Sequence, residues 1–321
     1  MTSLGPIFAD DLARVKPGDR LRLTISAQTS DAAALAQAAL EARARGERVL
    51  VVCADPADVP RLAQEMPWFE PKLDVRPLPD WETLPYDVLS PQEELVSERL
   101  EALYRLTAPT GGADVLLTSA VTASQRLSPV SYIGANTFFF HQGEQISLTT
   151  LQKRLAAAGY ANVKQVLAAG EFAVRGSIVD VFPMGSERPS RLDFFDDEIE
   201  SIRWFDVDTQ RSMESAEEIR LLPGHEFPVD PEALLAFRQR WRREFAGDPK
   251  KSIVYCDIEK EILPPGIEYY LPLFFDETAA LTDYLPPNAR VFLLGDIEAA
   301  LQAFGREHFV ARGHVAPECL E

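Results

Sequence analysis

Residues 170–206 read GEFAVRGSIVDVFPMGSERPSRLDFFDDEIESIRWFD. Short runs of β-branched and aromatic residues, broken by glycine, proline and aspartate, predict four strands here. They are expected at 172–175, 178–182, 191–195 and 199–205. Gly176 divides the first two, 183–189 is a loop, and Asp196, Asp197 and Glu198 form an acidic turn. Side chains alternate faces along a strand. Leu192 and Phe194 therefore share an ordinary core face, while Arg191, Asp193 and Phe195 share the other. In the first strand the same parity sets Phe172 and Val174 against Ala173, Arg175 and Ser177. Two strands thus each offer a polar face with an arginine, and one adds a phenylalanine. Arginine beside an aromatic on a sheet surface is the composition of a protein-binding hot spot. The same residues also fit a plainer arrangement, with Phe195 covering the end of a core and each arginine paired to a nearby acid. Parity leaves both readings open.

Ahead of this stretch, 137–141 is a strand and 148–158 a helix with Leu148, Leu151 and Leu155 on one side. Together these make an α+β unit of about 80 residues inserted into the sequence. Before Pro129 the pattern is different. Strands at 21–25, 49–53, 73–78 and 114–118 alternate with helices at 31–45, 58–65 and 121–127. That order indicates a parallel sheet covered on both sides. Ser90, Pro91 and Glu93 give a capping box, so a helix should start there with Leu95, Leu100, Leu103 and Tyr104 inward. After the insert, 219–222 is a strand expected to lead back to the first domain. Asp230, Pro231 and Glu232 start a helix with Leu234, Phe237, Trp241 and Phe245 inward. Residues 290–294 and 296–308 form one more strand–helix unit.

The sequence holds 50 acidic against 32 basic residues, a net charge of −18. That opposes broad contact with DNA phosphates or an anionic membrane, and permits docking to a basic partner. Cys53, Cys256 and Cys319 fit no zinc or CxxC spacing; a sparse, odd count suits a reducing cytoplasm. Residues 1–6 lack the charged and apolar regions of a signal peptide, and no apolar run is long enough to span a membrane.

No glycine precedes a lysine, so a G-x-x-x-x-G-K-[ST] phosphate loop is absent. The turn where it would sit reads SAQTSD at 26–31, without the glycines and lysine that phosphates need. His141, His225, His308 and His314 have no base or ligand partner at a telling spacing. The acids at 196–200 lack the spacing of a calcium loop. No metal or cofactor is expected.

Three segments carry a resemblance: DWETLPYD at 80–87, GEFAVRGSIVDVFPMGSE at 170–187 and RLDFFDDEIESIRWFDVDTQRS at 191–212. They resemble the N-terminal region of the bacterial transcription-repair coupling factors, the Mfd family, itself similar to the damage-recognition protein UvrB. The resemblance implies an α/β fold with a degenerate RecA-like, P-loop-like parallel sheet. Domain 1A would span 1–128, an inserted α+β domain 2 would span 129–208, and domain 1B 209–321. It also implies a function: domain 2 docks UvrA, with Arg175, Arg191 and Phe195 as the contacting residues. Truncating any of the three should weaken that binding by about 2 kcal/mol or more with little loss of fold.

By the same resemblance the fragment is not an enzyme and uses no cofactor. The ATP-driven motor and an autoinhibitory C-terminal partner would lie beyond residue 321. No direct DNA binding is expected, because UvrB's tyrosine-rich hairpin has no room before the helix at 91–106. A damage-sensing DNA-binding module of UvrB type is the alternative.

Overall fold

The computed structural model describes residue 21 and residues 30–85, 88–108 and 112–312. The first expected strand and the turn at 26–29 lie outside these, apart from Leu21, as do His314 and Cys319. The chain divides into two compact units. Among the described residues, the first is built from those up to 80, 105–125 and 281–306, and the second from 81–104 and 126–280.

The first unit holds a four-stranded parallel sheet. Its strands are β1 (Val49–Cys53), β2 (Val75–Pro77), β3 (Val115–Ser119) and β12 (Arg290–Leu294), in the order β12-β1-β3-β2. Every residue of β1 and β3 is buried, as expected of strands covered on both faces. Helix α1 (Ser30–Ala44) packs on the sheet through Ala32, Ala36, Ala39 and Ala42. Side chains this small allow a close approach. Helix α2 (Asp58–Phe69) runs one turn further than expected, carrying Pro67 near its end. It closes when the Glu70 N–H donates to the Met66 carbonyl at 3.0 Å. The described architecture is α/β, with segments of the second unit inserted into the first.

The second unit is organised by a six-stranded sheet. Its strands are β5 (Ala161–Asn162), β6 (Glu171–Arg175), β7 (Ile178–Val181), β8 (Ser190–Phe195), β9 (Glu198–Phe205) and β10 (Ser212–Ala216). They lie in the order β10-β9-β8-β7-β6-β5, antiparallel except for the short β5–β6 pair. One face is a core of Phe172, Val179, Val181, Leu192, Phe194, Ile199 and Ile202, all buried. Strand β4 (Phe138–His141) pairs with β11 (Glu218–Leu221), so β11 belongs to the second unit rather than leading back to the first. Ile219 and Leu221 of β11 are buried. A second cluster gathers Phe227, Phe237, Trp241, Tyr255 and Phe274 around helix Pro231–Glu244. Asp230 caps that helix, its carboxylate accepting from the Glu232 and Ala233 N–H groups at 3.0 Å each.

The capping box at Ser90 does not form. Helix α3 spans Glu93–Thr107, and its first turn closes on the Gln92 carbonyl. Ser90 Oγ is committed elsewhere. It accepts from the Gly266 N–H at 3.1 Å and donates to Glu268 at 3.2 Å. The buried stripe of α3 also differs from expectation, because it includes Arg99, fully buried. Arg99 meets Glu226 through Nε–Oε1 at 2.5 Å and Nη2–Oε2 at 3.2 Å. Trp81 completes the cluster. Its indole N–H donates to Glu226 at 3.3 Å, and its ring lies 4.8 Å from the guanidinium.

Candidate protein-binding face

Two tight hairpins shape the outer face of the six-stranded sheet. Arg175 pairs with Ile178 around the two-residue loop Gly176-Ser177. Gly176 stands at φ +63°, a conformation glycine adopts at little steric cost. Phe195 pairs with Glu198 around Asp196-Asp197, with Asp196 at φ +53°. Aspartate tolerates this region better than most residues.

These registers fix which side chains are neighbours. Ala173, Asp180, Arg191 and Arg203 form one row across β6, β7, β8 and β9. Arg175, Ile178, Asp193 and Ser201 form the next, and Phe195 with Glu198 the last. One end of the face is closed by Ala173, Phe205 and Val166, packed with Val163 and Phe182. The other end is open, and there Phe195 is 68% exposed.

Both arginines converge on Asp180, whose side chain is fully buried. Arg191 grips it with two hydrogen bonds, Nε–Oδ1 at 2.7 Å and Nη2–Oδ2 at 3.0 Å. Arg175 donates to the same Oδ2. Arg191 further donates to the Gln210 carbonyl at 3.2 Å and to Ser212 Oγ at 3.1 Å, and its guanidinium lies 4.9 Å from the Phe205 ring centroid. Hydrogen bonding to Asp180 raises the Arg191 pKa, outweighing the lowering by burial. The two arginines differ in access: the Arg191 side chain is 15% exposed and that of Arg175 49%.

The structure therefore combines parts of both sequence readings. Phe195 does not cover a core, yet each arginine has an internal acid, the same one. One carboxylate against two guanidiniums leaves a cation in excess and holds both in fixed geometry. Fixed donors lose less freedom when a partner binds. For Arg191 the geometry predicts a cost in stability as well, because removing it strips a buried carboxylate of its bidentate partner. Parity put Arg175 on the polar face of β6, and Arg191 and Phe195 on that of β8; the registers make these one face of the sheet. Sequence reading missed Asp180. A two-residue loop at Gly176-Ser177 would have set it opposite Ala173, on the same face.

Among the described residues, no group of three or more histidines, cysteines or acids is placed to hold a metal ion. No described helix is long and apolar enough to cross a membrane. His225 is half-buried and stacked on Phe227, and desolvation lowers its pKa to about 4. It is neutral near pH 7. Cys53 is buried, and burial pushes its thiol up to about 12, so it is inert as a nucleophile.

The family model described as "UvrB interaction domain" matches residues 138–227, which include the whole of this face. The chain is similar to the transcription-repair-coupling factor of Escherichia coli (strain K12), 43% identical over 257 residues. That match covers 80% of this chain and 22% of the relative. The corresponding protein of Haemophilus influenzae is 49% identical over 216 residues, covering 66% and 18%. That of Bacillus subtilis is 32% identical over 216 residues, covering 62% and 18%. The chain thus spans about a fifth of the length of the curated relatives it matches.

Proposed function

Because the chain belongs to the UvrB-homology region of the transcription-repair-coupling factor family, we propose that its six-stranded sheet is a docking face for UvrA. In this reading the fragment does no chemistry and needs no cofactor. It brings excision repair to a stalled transcription complex by holding UvrA. Arg175 and Arg191 present charge-assisted donors to UvrA carboxylates, and Phe195 enters an apolar socket. The insert at 129–208 acts as the docking domain. In a longer protein, domains on the C-terminal side would cover the same face to silence it.

The observation that carries this reading is the exposure of Phe195 beside two locked guanidiniums. Burying a phenylalanine side chain is worth about 1.5–3 kcal/mol, so leaving one 68% exposed forgoes part of that on folding and keeps it for a partner. The net charge of −18 supports a protein partner over nucleic acid.

Titrating the purified protein separately with UvrA, duplex DNA at low salt, and ATP tests the assignment. Saturable binding of UvrA alone is expected. A salt-sensitive DNA complex without any UvrA complex would overturn it.

A further inference from the structure

We propose that Arg203 is a third cationic contact on this face and tunes its preference for an acidic partner. The inference rests on the docking role proposed above and extends it to a residue outside the resembling pair of arginines.

Arg203 lies on β9 directly opposite Arg191 on β8, and opposite Ser215 on β10. Like charges placed directly across a sheet repel. The two neighbours are nevertheless treated differently. Arg191 shares the single carboxylate of Asp180 with Arg175, while Arg203 is exposed and its guanidinium makes no ion pair or hydrogen bond among the described residues. Acids of the same face already accept from other groups. Asp180 Oδ1 takes Arg191, and Oδ2 takes Arg191 and Arg175. Asp193 accepts from Ser201 at 3.1 Å, and Glu198 from Gln145 at 2.7 Å.

A protein with 50 acids has thus left a cation unpaired in the row that already holds Arg191. An incoming carboxylate would bridge Arg191 and Arg203 and relieve their repulsion. The surface this fits is one that offers a carboxylate beside the socket for Phe195.

Arg203 is exposed and its side chain makes no hydrogen bond or ion pair among the described residues, so its removal separates binding from folding. The test compares the parent protein with Arg203→Gln, Arg203→Glu and Phe195→Ala, measuring association with purified UvrA at several salt concentrations and the melting temperature of each variant. Arg203→Gln should bind about tenfold more weakly at low salt, mainly through a slower on-rate, with a flatter salt dependence. Arg203→Glu should lose about a hundredfold. The melting temperature of Arg203→Gln should equal or exceed the parent's, because a repulsive pair is removed. If Arg203→Gln binds like the parent at every salt while Phe195→Ala fails, the Arg203 contact is wrong and the docking role stands. If Phe195→Ala also binds like the parent, both are wrong. A lowered melting temperature for Arg203→Gln would make the residue structural and overturn the inference.

Discussion

Replacing Arg191 with alanine should unfold the inserted unit far more readily than replacing Arg175, although both arginines hold the same acid. Asp180 is fully buried, and Arg191 provides two of its three guanidinium contacts. Removing one partner of a buried ion pair costs about 3–5 kcal/mol, because the remaining charge is left in a poorly solvating interior. Arg175 keeps its own contact and Arg191 is itself 15% exposed, so the low end applies, about 3 kcal/mol. At about 2–4 °C per kcal/mol for a domain of 150–250 residues, the melting temperature should fall by about 6–12 °C. The Arg175 side chain is 49% exposed and its loss leaves the bidentate grip intact. Its truncation should cost about 0–1 kcal/mol, a shift of at most about 4 °C. Thermal unfolding followed by circular dichroism at pH 7 reads both. Adding Asp180→Ala to Arg191→Ala should recover part of the loss, since no buried charge then remains. An Arg191→Ala protein melting within a degree or two of the parent, or above Arg175→Ala, would refute the reasoning.

Arg99→Met should destabilise by about 3–5 kcal/mol, because Glu226, 3% exposed, would lose its cation; chemical denaturation shows this as a lower midpoint at unchanged slope, and an unchanged midpoint would contradict it. His225 has a folded pKa of about 4 against an ordinary value of 6.5, so the unfolded protein binds the extra proton between those values. Stability should therefore fall as pH drops from about 6.5 to 4, by about 3 kcal/mol in total, and His225→Gln should flatten that slope relative to the parent. Phe195→Ala should leave the melting temperature within about 2 °C of the parent, since the side chain is 68% exposed.

The outer face was legible because Phe172, Val174, Leu192 and Phe194 fall on the core parity of their strands, which leaves Arg175, Arg191 and Phe195 on the other. Strand β10 was not legible. Ser212–Ala216 is an edge strand with no buried face, so its residues carry no alternation. Helix Ile253–Glu259 was missed for a similar reason: only Tyr255 and Ile258 of its seven residues are buried. The Ser90 signal misled because its local capping partner was outcompeted by Gly266 and Glu268, about 180 residues away in sequence. Arg99 sits at a core position of its helix, and only the fold brings Glu226 to it across 127 residues. Likewise the sharing of Asp180 depends on strand register rather than on any one strand's composition.

The central claim is that Phe195 is kept outside the fold for a partner. The affinity of Phe195→Ala for UvrA, measured calorimetrically beside the parent protein, tests it most directly. The account predicts a loss of about 2 kcal/mol or more, roughly thirtyfold in Kd, from a variant that folds like the parent. Parent-like affinity in that folded variant would contradict it.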